Sequence, residues 1–203
     1  SRRGFECKED LFVPGYFELP IKKGESIILS ASTGEPVPSK SLKTRFEKEV
    51  LKRDNTRSNY DACLKLAAGQ FLIKHAGDYS VCSGYSWDYE SLRESFIALP
   101  GLTLYNDGDA ERFEKVIDST IKRHRDAMLC ESDTPDSGLW FIRAIQQYVD
   151  YGADASSVWK KYGKWLVDII ESFLGNARTS VHLHENGLLW AQKYGVALTW
   201  MNT

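Results

Sequence analysis

The sequence predicts a mainly helical protein in which neighbouring helices pack antiparallel, preceded by a short β-hairpin. From Ser39 to Leu174, apolar residues recur every three to four positions, which is typical of amphipathic helices. The connections between these segments are short, so successive helices pack antiparallel. No strand-like run alternates with the helices, and this excludes a parallel α/β sheet.

Six helices are predicted, and each presents one apolar stripe to a core. The third contains Pro100-Gly101, which interrupts its pattern. The sixth stops at Gly175-Asn176, a common helix-ending signal. The predicted ranges are 39–52, 60–73, 91–105, 110–127, 136–151 and 156–174.

The amino-terminal part has a different pattern. Two β-favouring runs, 16–21 and 26–30, flank the turn residues 22–25 and predict a hairpin. A lone hairpin is marginal in water, so we expect residues 1–32 to be a tail and hairpin that end a preceding β domain. Residues 33–203 are then the helical domain.

The carboxyl-terminal stretch 181–203 is predicted to be a hairpin or a hooked loop. It places Asn186-Gly187, a tight-turn dipeptide, inside an alternating apolar run. Trp190 and Trp200 lie in this non-helical stretch. They either pack in the core or line a pocket, and both interpretations stay open.

The composition bounds the class of protein. Hydrophobic residues make up 42% and charged residues 27% of the 203 residues, the profile of a soluble globular protein. The net charge of −2 gives no reason to expect binding to nucleic acid or to a membrane surface. The four cysteines are far apart, so reduced thiols and a cytoplasmic location are expected. No apolar run is long enough for a membrane span.

His182, His184 and Glu185 are close enough in sequence to suggest a metal site. A strand would turn both histidines to one side, but no third ligand has a fixed spacing to them. We therefore expect no metal here.

Three blocks of the sequence resemble the glucosidase part of glycogen debranching enzymes. NGLLWAQKYGVALTWMN, near the carboxyl end, is similar to the family's DGLL…G-x-QLTWMD segment. WDYESLRESFIALPGLTL, residues 87–104, is similar to W…WGRDT-x-I-x-LPGL-x-L. DTPDSGLWF, residues 133–141, resembles YNT-x-DASLWF. The blocks follow the family's order and spacing over residues 81–203, and together they are specific.

The resemblance implies a partial (α/α) toroid from an enzyme that hydrolyses the α-1,6-linked glucose left at a trimmed branch point. Glycogen or a related α-glucan oligosaccharide would be its partner, and the reaction needs no cofactor. The chain would carry about half of the family's ring and would leave apolar helix faces in water. We therefore expect a homodimer that covers the open edge.

The resemblance also identifies the position of a catalytic group. Glycoside hydrolysis uses two carboxyl groups, one on each side of the bond. The family's acid corresponds to Asn202, whose amide cannot donate a proton at neutral pH. The family's second carboxylate lies beyond the last residue of this sequence. We expect no debranching by this chain alone; a structural interpretation, in which Asn202 caps a loop, stays open.

Arg93-Glu94 stands where the family has an Arg-Asp pair that grips the hydroxyls of the terminal glucose. Glu94 is one methylene longer than the family's aspartate, and Ser91 and Leu92 replace the family's Trp and Gly. The structural alternative is a solvated pair at a helix start.

The other candidates come from the same three blocks. Asp136 either contributes to the pocket or caps a helix, and Trp140 either stacks on a sugar or packs in the core. The residues that the resemblance implies for substrate binding are Trp87, Arg93, Glu94, Asp136, Trp140 and Trp200.

Two further function classes stay open. The first alternative to a hydrolase is a catalytically silent carbohydrate-binding protein. The second is a helical scaffolding module with no role in sugar binding. Asn202 bears on the first alternative, and oligosaccharide binding separates the second from the others.

Overall fold

The computed structural model describes residues 10, 12–53, 59–75, 77–84, 90–130, 134–175 and 178–199. At residues 53 and 75 it describes the backbone alone. The chain divides into two compact units, Ser1–Asn55 and Thr56–Thr203. The predicted change from β-hairpin to helical domain after residue 32 stays a prediction.

The described part of the first unit consists of an extended segment and helix α1 (Ser39–Arg53), which confirms the first predicted helix. The predicted turn is present: the Glu25 amide donates to the Lys22 carbonyl at 3.0 Å. Its flanks, 16–21 and 26–30, form no strand pair within residues 12–53, so the predicted hairpin is wrong. The flanks are largely exposed, and a two-stranded ribbon without apolar cover is marginal in water.

The second unit is mainly helical, and its two small sheets are both antiparallel pairs within the described residues. This confirms the mainly helical class, while the antiparallel packing of the helices and the toroid stay predictions. None of the helices in the described ranges has the length and hydropathy that a bilayer span requires. The helices are α2 (Tyr60–Gln70), α3 (Leu92–Leu102), α4 (Leu104–Asp107), α5 (Ala110–Leu129), α6 (Ser137–Asp150) and α7 (Ala155–Leu174).

The second predicted helix ends earlier than expected. Helix α2 stops at Gln70, and Leu72–His75 forms β1, which pairs with β2 (Asp78–Val81). Gly77, with φ of 91°, allows the tight connection between the two strands. The backbone amide of Cys82 extends the pairing to the Phe71 carbonyl at 2.8 Å.

The third predicted helix breaks at Thr103 instead of at Pro100. Pro100 lies inside α3, and the chain leaves helical geometry three residues later, where Thr103 has φ −121° and ψ −69°. The Thr103 hydroxyl donates to the Leu99 carbonyl at 2.7 Å. The short helix α4 then ends at Gly108, whose φ of 68° suits glycine.

Aromatic contacts hold the core helices together. Helix α3 packs on α6, and α5 contacts α3, α6 and α7. Phe141 of α6 contacts two rings edge to face. The distance between ring centroids is 5.5 Å to Phe96 of α3 and 6.3 Å to Tyr162 of α7. Phe113 of α5 stacks on Tyr148 of α6 at 4.7 Å. Such pairs each add about 0.5–1.5 kcal/mol beyond the burial of their area.

Helices α6 and α7 approach closely at Gly138, near the start of α6. A Cβ atom at this position would lie 2.9 Å from Cγ2 of Ile169, which is closer than carbon atoms normally pack. The absence of a side chain at Gly138 therefore fixes the separation of the two helices at the end where Asp136 lies.

The predicted carboxyl-terminal hairpin is confirmed. Strands β3 (Val181–Leu183) and β4 (Leu189–Ala191) pair antiparallel, and the His184 amide donates to the Leu188 carbonyl at 2.8 Å. Gly187 has φ of 81°, as the turn requires. Trp190 is exposed and stacks on His182 at 4.6 Å, so it is not a core residue.

Candidate functional site

Arg93 connects three distant parts of the second unit. It lies in the first turn of α3, and its side chain is only 8% exposed. Its Nε donates to Asp136 Oδ1 at 3.0 Å and to Oδ2 at 2.8 Å. Its Nη2 donates to the Leu198 carbonyl at 3.3 Å. The guanidinium therefore ties α3 to the residue before α6 and to the carboxyl-terminal segment.

Asp136 serves as the partner of Arg93. It immediately precedes α6, but its side chain makes no capping hydrogen bond, so the capping interpretation is wrong. The turn is closed instead by Ser137, whose hydroxyl donates to the Thr134 carbonyl at 2.7 Å. Pairing with the opposite charge of a buried guanidinium is a stronger interaction than a hydrogen bond from a neutral backbone amide, which explains why the carboxylate turns away from the helix end.

Glu94 has a different environment from its neighbour. Its side chain is half-exposed, and Oε1 lies 3.9 Å from Arg93 Nη1. The Ser91 hydroxyl donates to Oε2, which orients the carboxylate at the start of α3. Arg93 is buried and Glu94 faces outward, so the interpretation of both residues as a solvated pair is wrong for Arg93.

A cavity of about 220 Å³ opens beside Glu94, between α3 and the end of β2. Its wall is mostly apolar and carries one carboxylate, a lining that holds the flat face of a ligand and fixes a few polar groups. A second, wider groove of about 490 Å³ shares the lining residues Ala98 and Leu102 with this cavity. The cavity is lined by Phe71, Val81, Cys82, Ser83, Glu94, Ala98 and Leu102.

The remaining candidates divide into two groups. Trp140 is partly buried and packs against the hydrophobic core, as its structural interpretation expects. Trp87, Trp200 and Asn202 lie outside the described residues. The structure therefore brings Arg93, Glu94 and Asp136 together, and the sugar-binding role of these residues stays a prediction.

A second polar cluster, centred on Glu90, was missed by the sequence analysis. The carboxylate of Glu90 accepts from Arg123 Nη2 at 2.7 Å and contacts His124 Nε2 at 3.0 Å. The Thr120 hydroxyl donates to the same carboxylate at 3.3 Å. Thr120, Arg123 and His124 share one face of α5, and this spacing was the signal that sequence could have offered. Arg123 also donates to the Tyr79 carbonyl at 3.0 Å, which joins the cluster to β2.

A third cluster, the Lys161 network, joins α5, α6 and α7. Lys161 Nζ bonds Glu114 at 2.9 Å and Asp118 at 2.8 Å. The Tyr148 hydroxyl donates to Glu114 at 2.9 Å, and the Tyr162 hydroxyl donates to Asp118 at 3.0 Å. These five residues complete a chain of hydrogen bonds along one side of the helices.

The network changes the acidity of its members. Burial and the hydrogen bond to Glu114 raise the pKa of Tyr148 to about 12. Burial alone would raise the pKa of Glu114, but hydrogen bonds from Lys161 and Tyr148 outweigh it and hold this pKa below its ordinary value. Burial would lower the pKa of Lys161, yet its bonds to Asp118 and Glu114 raise it. The network therefore favours the charged forms of Glu114 and Lys161.

No group of three or more His, Cys, Asp or Glu side chains is arranged to hold a metal ion within the described ranges. His182 and His184 lie on the exposed hairpin, where the ring of His182 stacks on Trp190.

The comparison with protein families gives the class of this chain. A family model described as amylo-alpha-1,6-glucosidase matches residues 66–203, which is more than half of the 203 residues. The chain therefore belongs to the amylo-alpha-1,6-glucosidase family, and the resemblance seen in the sequence is confirmed. Searches of curated proteins and of solved structures found no significant match.

Proposed function

We propose that this chain binds the α-1,6-linked glucose of a glycogen or α-glucan branch point in the cavity beside Glu94. The observation that carries the proposal is the buried Arg93–Asp136 pair directly behind that carboxylate. The family match supports the class of ligand, and the mainly apolar cavity wall supports a ring-shaped one.

In this proposal Glu94 is the residue that contacts the sugar. A carboxylate accepts hydrogen bonds from two neighbouring hydroxyls, and Glu94 is half-exposed at the cavity wall. Arg93 is a positioning residue, since its Nε and Nη2 are already engaged by Asp136 and Leu198. Its Nη1 lies 3.9 Å from Glu94 Oε1, so the two opposite charges attract each other.

We further propose that this chain binds without hydrolysing. By the family pattern Asn202 occupies the position of the general acid, and an amide has no proton to transfer to the leaving oxygen. Loss of a general acid costs about 10²–10⁴ in rate, and the reaction requires two carboxyl groups across the bond. A bound branch point would then be held without being cleaved.

Calorimetric titration with isomaltose, which contains the α-1,6 bond, tests the proposal. Binding is expected for the unmodified chain, and Glu94→Gln should weaken it at least tenfold, because a hydrogen bond to a charged group is worth about 1.5–3 kcal/mol. Incubation with a limit dextrin under the same conditions should release no glucose above the enzyme-free background.

Glu111→Gln is the matched control, since Glu111 occupies the first turn of α5 as Glu94 occupies that of α3. It should leave isomaltose binding unchanged. Equal affinity of the Glu94→Gln variant and the unmodified chain would refute the assigned site. Absence of binding by the unmodified chain at millimolar sugar would favour the scaffolding alternative, and glucose release would refute the silent-binder proposal.

A further inference from the structure

Helix α7 carries two apolar faces. The inner face packs into the core through Val158, Tyr162, Ile169 and Phe173, all of them buried. A second set of residues, which we name the outer face of α7, follows the helix at intervals of three and four residues on the other side. The outer face consists of Trp159, Gly163, Val167, Ile170 and Leu174.

The four side chains of the outer face are exposed, and Gly163 is buried beneath one of them. Trp159 is 60%, Val167 39%, Ile170 46% and Leu174 61% exposed. The indole of Trp159 covers Gly163, where an added Cβ would lie 2.9 Å from the ring, so the tryptophan lies flat along the helix. From Trp159 to Leu174 the face extends about 22 Å, at 1.5 Å per residue. Scattered exposed apolar residues are ordinary, but a continuous stripe of this length marks an interaction surface.

Charged residues along one edge of the outer face are arranged with opposite signs at its two ends. Lys160 flanks the amino-terminal half and Glu171 flanks the carboxyl-terminal half, and both are exposed. At 3.6 residues per turn, the two side chains project from the same edge of the stripe. The edge is therefore positive at one end and negative at the other.

The outer face of one copy of α7 is complementary to the outer face of a second copy that runs in the opposite direction. When two copies of α7 are laid antiparallel about an axis between Leu166 and Val167, the indole of Trp159, which covers Gly163, meets Leu174 and Ile170 of the other copy. The same operation brings Lys160 of one copy within two positions of the other copy's Glu171, about 3 Å along the helix axis on the same edge, and it does so twice. A two-fold interface requires a surface to complement itself in this way.

We propose that a second copy of this chain docks on the outer face of α7, forming a two-fold dimer with an antiparallel α7 pair at its centre. The occupant is a second copy because one rotation brings the apolar side chains together and places the opposite charges of Lys160 and Glu171 close to each other. This inference is independent of the proposed glucan binding, since the outer face contains none of Arg93, Glu94 and Asp136.

Sedimentation velocity of the full chain over a range of concentrations tests the proposal, with twice the chain mass expected. Ile170→Asp places a charge at the interface and should give a monomer. Ile97→Asp on α3 is the matched control, because Ile97 is 44% exposed and Ile170 46%. The control should remain dimeric, and circular dichroism should show that both variants keep their helical content.

A charge exchange tests the orientation. Lys160→Glu should shift the equilibrium toward monomer by placing like charges opposite each other, and the double variant Lys160→Glu with Glu171→Lys should restore the dimer. Both variants leave the apolar residues of the outer face intact, so they test the dimer even if Ile170→Asp fails to fold. A monomer at every concentration, or a dimer unaffected by both Ile170→Asp and Lys160→Glu, would overturn the proposal.

Discussion

The Arg93–Asp136 pair and the Lys161 network use similar charged groups in two very different environments. The side chain of Arg93 is 8% exposed, whereas that of Lys161 is 39% exposed. A buried ion pair leaves an uncompensated charge when one partner is removed, while water replaces the missing partner of an exposed pair. We therefore expect a charged contact to contribute more to the free energy of unfolding where it is buried than where it is exposed.

The largest expected effect comes from breaking the buried pair. Arg93→Met leaves the Asp136 carboxylate without its main partner and should lower the free energy of unfolding by about 3–5 kcal/mol. Urea denaturation of the purified variant gives this value. The double variant Arg93→Met with Asp136→Leu should recover part of the loss, because no uncompensated charge then remains. If Arg93→Met lowered the free energy of unfolding by less than about 1 kcal/mol, the Arg93–Asp136 pair would contribute no more than an exposed ion pair does.

A smaller effect is expected at the buried end of the Lys161 network. Tyr162→Phe removes the hydroxyl that donates to Asp118 at 3.0 Å and keeps the ring in the core. The loss should be about 1–2 kcal/mol, since Asp118 keeps its bond to Lys161. Tyr194→Phe, at a fully exposed ring, is the control and should leave the unfolding midpoint in urea unchanged. If Tyr162→Phe and Tyr194→Phe changed the free energy of unfolding equally, the hydrogen bond from Tyr162 to Asp118 would make no contribution to stability.

The smallest effect concerns pH. The pKa of Glu114 is lower in the folded chain, so its contribution is present above the unfolded pKa of about 4.3 and is lost as pH falls through the folded value. Glu114→Gln should therefore reduce the acid-induced fall of the melting temperature, measured from pH 6 to pH 3. Glu111→Gln serves as the comparison, because its carboxylate is strongly exposed. If the melting temperature of the Glu114→Gln variant fell as steeply from pH 6 to pH 3 as that of the unmodified chain, Glu114 would not have a lowered pKa in the folded chain.

The helices were predictable because their apolar stripes agree with their burial. The range 156–174 corresponds to α7 within one residue, and its buried Tyr162 and Phe173 belong to the predicted stripe. Leu72 and Ile73 are predicted to be helical because Leu72 continues the apolar spacing of α2, but both belong to β1. The strand forms there since β2 offers a partner across the Gly77 turn, a contact that local periodicity does not contain.

The candidate site was predictable in part. The family pattern selected Arg93 and Asp136, and they form the buried pair. It gave no information about Glu90, whose partners Arg123 and His124 come more than thirty residues later on another helix. Sequence also did not show that Arg93 would be buried and Glu94 exposed, because neighbouring residues on a helix point about 100° apart and packing decides which one faces inward.

The hydrogen bond from Arg93 to Leu198 has a consequence for biosynthesis. Its two residues are 105 positions apart, whereas Arg93 and Asp136 are 43 apart. At 5–20 residues per second, a ribosome needs about 5–20 s to make the residues between Arg93 and Leu198. Helices α3 and α6 can pair before then, but the guanidinium gains its third acceptor after Leu198 has been added. The contacts of Arg93 are therefore completed only after the carboxyl-terminal segment has been synthesised and has docked.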